Sequence, residues 1–370
     1  MERRRRVAVT VEQCWHRVPG GTATSTLALV DALARRDDVE IIGVAARHRA
    51  APPERFVPSI PVGQLPVPRR LMYETWHALA WPRVERATGA IDVVHGTAVA
   101  VPPTSAPLVM TIHDLAFLAD PTHATKHGNR FFRRGTDLAR ARAARVIVPS
   151  EATAAECVDA GFDPTILRVV PWGVTPQPVA DPDVDEVRRR HGLDRPYVLF
   201  VGTVEPRKNL AAVVAAMAEL DGRGIDLAVV GPDGWNEDLQ ARLSPLGSTS
   251  VRVQRLGFVP QADLAPLYAG CVAFCYPSLR EGFGLPVLDA MAHGAPVVTS
   301  AGTATAEVAG DAALLVDPID HKAVGAALLR LVDEPGLAER LRAAGQERAR
   351  LFTWDRTAEL TAAVYAEVAP

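Results

Sequence analysis

The sequence predicts an α/β protein built of two doubly wound parallel sheets, and three observations carry that reading. Short β-branched and apolar runs alternate with Ala- and Leu-rich stretches in both halves of the chain. The runs are continuously apolar instead of alternating, as in strands buried on both faces between helices. At 370 residues the chain is too long for one ordinary core, and near its middle the stretch "VVPWGVTPQPVADPDVDEVRRRHGLDRP" interrupts every regular period with proline. A composition of 48% apolar and 22% charged residues excludes a disordered chain and supports two packed cores.

In the first half the expected strands are "RVAVTV", "VEIIGVAA", "IDVVHG", "LVMTIHD" and "ARVIVPS". In the second they are "PYVLFVGT", "DLAVVGP", "VRVQRLG", "CVAFCYP" and "APVVTS". Residues 1–172 are expected to form one domain and 173–352 the other, with 353–370 as a further amphipathic helix starting near Thr353 or Asp355. No apolar run approaches the roughly 20 residues that span a bilayer. The apolar stretch after the basic head "MERRRR" ends at Val11, too short for a secretory signal, so the expected location is cytoplasmic.

Cys14, Cys157, Cys271 and Cys275 fit a reducing compartment and read as core thiols; no second ligand pair accompanies "CVAFCYP". Asp181, Asp183 and Asp185 alternate, but Gly192 stands where a calcium loop needs its last acid. These acids read as helix-start residues favoured by the helix dipole, and no metal site is expected. Residues 1–172 hold 22 Lys and Arg against 17 Asp and Glu, and the remainder 18 against 26. The basic excess of the first half points to an anionic partner, or else to a solvated basic face.

Ligands of open parallel sheets bind beyond the carboxyl ends of the strands, so the strand ends hold the candidate residues. After the first strand, Gly20 and Gly21 leave helix-start N–H groups approachable by a phosphate, with Thr22, Thr24 or Ser25 as caps; a plain strand-to-helix turn is the alternative. His113 and Asp114 end the fourth strand, where an Asp-held imidazole can stand near a reacting group, and His95 is a weaker second candidate. "VGTVEPRKNL" places Glu205, Arg207 and Lys208 just before a helix opened by Asn209 or a neighbour. A guanidinium fork, a point charge and a positive helix end together suit a diphosphate. In "SLREGFGLPVLDAMAHGAPVVTS", Glu281 lies on a glycine-rich loop (Gly282, Phe283, Gly284, Leu285), Pro286 opens the next helix, and Asp289 is expected in its first turn. Glycines there let a backbone approach a ligand, and Glu281 can accept hydrogen bonds from sugar hydroxyls.

With "VGTVEPRKNL", "EGFGLPVLDAMAHGAPVVTS" and "GDAALLVDP" in this order, supported by "TIHDLAFL" and "RVIVPSEAT", the chain resembles the retaining, nucleotide-sugar-dependent glycosyltransferases of the GT-B fold in the large family 4 group, mannosyltransferases among them. The resemblance covers nearly the whole chain and implies two facing Rossmann-like domains with the donor held mainly by the second. It implies that Arg207 and Lys208 bind the donor diphosphate, with Glu205 in the same donor pocket, and that Glu281 contacts the transferred sugar. It places Gly20 and Gly21 near the diphosphate, His113 beside the sugar, and Glu307 near the donor pocket. Asp289 stands where the family's second acid, usually Glu, contacts the ribose; Ala23 replaces a third glycine, and Trp172 a common Asn. No cofactor is implied, because the nucleotide sugar is a co-substrate. The acceptor is expected to be a glycan or lipid-linked molecule. The basic stretch "TKHGNRFFRRGTDLARARAARV" adds an expectation of peripheral contact with an anionic membrane at its inner face, and no nucleic acid partner is expected.

Three rival readings stand beside this one. A dinucleotide dehydrogenase lacks its G-x-G-x-x-G fingerprint here. A phosphorylase of the same fold would need a lysine-bound pyridoxal phosphate, and a silent sugar-nucleotide-binding protein would keep the fold without turnover.

Overall fold

The computed structural model describes residues 3–16, 20–119, 126–232, 246–247 and 249–370. Two compact units emerge from the contacts: one comprises Met1–Gly173 with Thr353–Pro370, the other Val174–Phe352.

Among the described residues the sheet of the first unit has seven parallel strands in the order β3-β2-β1-β4-β5-β6-β7. They are β1 (Arg5–Thr10), β2 (Val39–Ala45), β3 (Val62–Gln64), β4 (Val93–Gly96), β5 (Leu108–Thr111), β6 (Arg145–Val148) and β7 (Leu167–Val169). Among the described residues the second unit has six parallel strands in the order β10-β9-β8-β11-β12-β13. These are β8 (Tyr197–Val201), β9 (Asp226–Val230), β10 (Val253–Gly257), β11 (Ala273–Tyr276), β12 (Val297–Ser300) and β13 (Leu314–Val316). The doubly wound fold class read from the sequence is the one observed. The sequence reading omitted β3, β7 and β13, each three residues long and at a sheet edge. Segments that short give no period to read.

Each sheet is buried on both faces. Val7 and Val9 of β1 join a core with Leu33, Val93 and Ile147, while Ala8 between them joins another with Trp76, Met72 and Met110. That division follows from the two-residue period of a strand. The last helix, Trp354–Val368, belongs to the first unit and fills the Val7–Val9 face with Ala358, Ala362, Val364 and Tyr365. Thr353 caps it, its side chain accepting from the Arg356 N–H.

Gly173 fixes how the chain passes this helix. A Cβ there would lie 2.2 Å from the Trp354 nitrogen and 2.4 Å from the Thr353 carbonyl carbon. The four cysteines are all buried and free. Asp183 lies in the first turn of the helix Asp181–Arg190 and accepts a 2.9 Å bond from the Ala180 N–H, a cap and not a ligand arrangement. We expect Gly173→Ala to destabilise the protein by roughly 1–3 kcal/mol, because backbone must move to admit the methyl group. Urea unfolding measures this, and an unchanged midpoint would contradict the close approach.

Candidate functional site

Strand order reverses between β8 and β11 in the second unit, since β9 and β10 lie to one side and β12 and β13 to the other. A doubly wound sheet opens a crevice at such a reversal. The segments after these two strands carry the charged residues singled out in the sequence.

After β8 the chain turns through Pro206–Lys208 and enters the helix Leu210–Ala216 at Asn209, which adopts φ +57°. Two hydrogen bonds stabilise that left-handed residue, from Asn209 Nδ2 to the carbonyls of Pro277 (3.0 Å) and Pro318 (2.7 Å). The following loop is tied to this turn as well, because Leu279 N–H and Ser278 Oγ both donate to the Arg207 carbonyl, at 2.8 and 2.9 Å. Lys208 and Glu281 are therefore held opposite one another by backbone, before any charge is considered.

Glu281 is 9% exposed and Lys208 8% exposed, and they form a direct ion pair. The same Glu281 Oε1 accepts from Tyr276 OH at 2.8 Å and Ser278 Oγ at 2.9 Å, while Oε2 accepts from the Arg207 guanidinium at 3.3 Å. Arg207 Nε also pairs with buried Glu205 at 2.7 Å. Burial alone would raise the Glu281 carboxyl, but Lys208 and Arg207 outweigh it and hold the group at about 2. Burial depresses the Lys208 ammonium, and Glu281 opposes that shift. The arrangement is a compact set of two carboxylates and two cations at the end of a sheet. An arriving anion would find cations already positioned and partly desolvated.

Gly284 caps the next helix, Leu285–Ala292, at φ +104°, and a Cβ there would come 2.8 Å from Thr305 Cγ2. Phe283 is buried against Phe352, ring centroids 5.9 Å apart; Gly282 is buried and Leu285 half-buried. Asp289 departs from expectation. The helix begins at Leu285, so Asp289 is its fifth residue and not part of the first turn, where the dipole would favour an acid. Its half-buried carboxyl has no hydrogen bond or ion pair among the described residues, and burial raises it to about 7. Glu307 is exposed in the short helix Ala304–Ala309.

In the first unit the strand order reverses between β1 and β4. Thr97, just past β4, joins the two sides: its N–H donates to Thr10 Oγ1 at 2.9 Å, and its hydroxyl accepts from Gln13 Nε2 at 2.8 Å. His113 follows β5, and its Nε2–H donates to the Thr97 carbonyl at 2.7 Å. The carbonyl therefore orients the ring, correcting the expected Asp114 partner; Asp114 instead accepts from the Ala116 N–H at 3.1 Å. Burial lowers His113, and with Nε2 protonated the buried Nδ1 is a lone pair without a partner among the described residues. Trp172 packs on this ring, centroids 5.0 Å apart.

His95 is removed from the candidates. It is fully buried, held at about 3 by desolvation, and bonded at 2.7 Å to both Tyr365 OH and Thr111 Oγ1. Its role is to fasten the last helix to the sheet. Gly20 and Gly21 open the helix Gly20–Ala34 themselves, with nothing among the described residues within 4 Å of either added Cβ. The expected caps bond backward inside the helix instead: Thr24 Oγ1 to the Gly20 carbonyl and Ser25 Oγ to the Thr22 carbonyl. Sequence reasoning missed Tyr276, Ser278, Thr97 and Gln13. Each is a polar residue at the end of an apolar strand or just beyond it, and that position was the available signal.

Comparisons with known proteins agree with the fold. The model for Glycosyltransferase Family 4 matches residues 19–178, and that for Glycosyl transferases group 1 matches residues 183–348. The chain is similar to the O-antigen chain mannosyltransferase B of Escherichia coli, 30% identical over 281 residues and covering 74% of each chain. It is similar to the D-inositol 3-phosphate glycosyltransferase of Acidothermus cellulolyticus, 31% identical over an alignment of 405 residues covering 98% of this chain and 90% of the relative. Among solved structures, Anabaena HepE in complex with UDP-glucose superposes with a TM-score of 0.76 at 18% identity, covering 98% of this chain and all of that one. This last likeness is one of fold. Among the described residues, no helix is long and apolar enough to cross a membrane, and no cluster of three His, Cys, Asp or Glu could hold a metal.

The Asp289 carboxyl generates a stability prediction. Its ordinary value is 3.8 and its folded value about 7, so between those limits the folded protein holds a proton that the unfolded chain has released. Its contribution to stability is thus highest below pH 4 and is lost as pH rises toward 7. Asp289→Asn should remove that loss and raise stability at pH 8 relative to pH 4 by at least about 1 kcal/mol, allowing for solvent at a half-buried group. Thermal unfolding across that range measures it, and parallel curves for both proteins would refute the assignment.

Proposed function

We propose, since the chain belongs to glycosyltransferase family 4 and has the GT-B fold, that it moves a hexose from a nucleotide diphosphate sugar to a hydroxyl of a glycan or lipid-linked acceptor, with retention of anomeric configuration. The observation that carries this reading is the buried cluster of Arg207, Lys208 and Glu281 at the β8–β11 reversal. Mannose from GDP-mannose is the first choice of donor, supported by the mannosyltransferase among the relatives.

The chemistry asks for stabilisation of a leaving diphosphate. As the C1–O bond to the β-phosphate breaks, its electron pair goes to the diphosphate, and Arg207 and Lys208 meet the charge that develops there. The Lys208 ammonium has three N–H bonds, so it can keep Glu281 and still donate to a phosphate oxygen. Glu281, held ionised by its partners, accepts from sugar hydroxyls and fixes the ring. Retention follows if the acceptor oxygen attacks C1 from the face the diphosphate leaves, with its proton passing to a donor phosphate oxygen. No covalent intermediate, metal or resident cofactor takes part in this route. His113 contributes a neutral imidazole whose Nδ1 accepts a hydrogen bond from a hydroxyl of the transferred sugar or the acceptor. Gly20 and Gly21 leave backbone N–H groups open to the diphosphate, and Asp289 would accept from the ribose.

The acceptor side is supported by the basic helix Lys126–Arg142, on which Arg130, Arg133, Arg134 and Arg140 are exposed. Such a face would bring the protein to an anionic membrane surface where lipid-linked acceptors reside. Cosedimentation with anionic liposomes should be strong at low salt and fall steeply by about 0.15 M, as the Debye length shortens to roughly 8 Å. Absence of binding at low salt would remove the membrane from the proposal.

Glu281→Gln, which preserves side-chain length, and Lys208→Met, which is one atom shorter, should each lower transfer by at least about a hundredfold. Each substitution removes one charge of a buried pair, which costs about 3–5 kcal/mol of stability, so thermal unfolding of both variants accompanies the rate measurement and separates chemistry from folding. The rate of nucleoside diphosphate release from a panel of sugar nucleotides measures the effect and identifies the donor; normal turnover by both variants would overturn the site.

A further inference from the structure

The first unit contains a cavity of about 280 Å³ beside His113. Most of its wall is carbon, contributed by Val99, Met110, Ile112, Phe117, Phe132 and Ala139. The polar side chains of the wall are largely engaged within the fold. Gln13 Nε2 donates to Thr26 and Thr97, Thr111 Oγ1 bonds His95, and Thr136 Oγ1 donates to the Phe132 carbonyl. Asp114 accepts from the Ala116 N–H, and His16 bonds Tyr73 OH at 3.0 Å. His113 also lines the cavity, and its buried Nδ1 has no partner among the described residues.

A glycan without a substituent would sit poorly here, because its hydroxyls would lose water and find few groups to bond. An apolar group gains from the same surroundings. The size is informative too, since an apolar cavity of roughly 150 Å³ already accepts benzene. Gly135 keeps the space between the helix Lys126–Arg142 and the loop after β4: a Cβ on it would lie 2.3 Å from the Val99 carbonyl oxygen and 2.8 Å from Val99 Cγ2.

We infer that this cavity receives a compact apolar group, an aryl ring system or short alkyl chain, carried by the acceptor next to its reacting hydroxyl. The inference rests on the proposed glycosyl transfer, which sets His113 beside the reacting groups. It narrows the acceptor to a hydroxylated molecule with an apolar body, as opposed to a wholly polar glycan. The hydroxyl donates to His113 Nδ1 while the apolar body replaces empty space against Phe117, Phe132 and Ile112.

The test uses 2-naphthol, a hydroxyl on a compact ring system, with the full chain. Fluorescence titration should show saturable one-site binding, and the ¹⁵N resonance of His113 Nδ1 should shift on saturation. Val99→Phe and Ala98→Phe, which fill the cavity from a half-buried loop, should each weaken binding at least tenfold while thermal unfolding shows both folded. Two positions are used so that a folding defect in one leaves the other decisive. Absence of saturable binding would overturn the inference, as would binding that both variants leave unchanged or that leaves His113 unmoved. Release of nucleoside diphosphate from sugar nucleotides by the unaltered protein tests glycosyl transfer separately, so failure of that reading and failure of this one are distinguishable.

Discussion

The second unit depends on one constraint: two carboxylates and two cations must share a dry site where strand order reverses. Burying a single ionised carboxylate is expensive, and an unpaired buried ammonium is equally so. Glu281 avoids that cost through three donors besides Lys208, namely Tyr276, Ser278 and Arg207. Those donors stay in place because Asn209 and the Arg207 carbonyl lash the two loops together. Backbone geometry comes first, and the charges then lock the loops in the register that a diphosphate sugar would meet. Such a site needs little reorganisation when charge develops, which is the condition for electrostatic stabilisation of a leaving group.

The first unit solves a related problem without charge. Thr10, Gln13 and Thr97 link the ends of β1 and β4, and the Thr97 carbonyl sets the tautomer of His113. A neutral ring oriented in this way offers an acceptor at Nδ1, not a second cation. The last helix is held to the same sheet through the Tyr365–His95–Thr111 chain. Polar residues in this unit therefore act mainly as fasteners, and carbon lines the space next to the histidine.

Much of this was legible in the sequence, and the exceptions have physical causes. Continuous apolar runs announced ten strands because strands buried on both faces have nothing to alternate with. β3, β7 and β13 went unread because three residues carry no period. The approach of Arg207, Lys208 and Glu281 could be expected from their places at strand ends, but the direct pairing of Lys208 with Glu281 depends on which strands are neighbours. That is a matter of topology, which spacing does not reveal. His95 looked like a strand-end candidate because burial depth is invisible from position alone. Asp289 was misplaced because the helix begins at Leu285, one residue before Pro286, which makes Asp289 its fifth residue, and with that went the dipole explanation of its charge.

The central claim is that the buried Lys208–Glu281 pair is the diphosphate anchor. Calorimetric titration of the unaltered protein and Lys208→Met with GDP and UDP tests it directly, because binding is measured without turnover or acceptor. The account predicts that whichever nucleoside diphosphate binds the unaltered protein binds the variant at least about tenfold more weakly, the scale expected for loss of a charge-assisted hydrogen bond of about 1.5–3 kcal/mol. Equal affinity for both proteins would contradict it, and would leave the pair as a fastener between two loops.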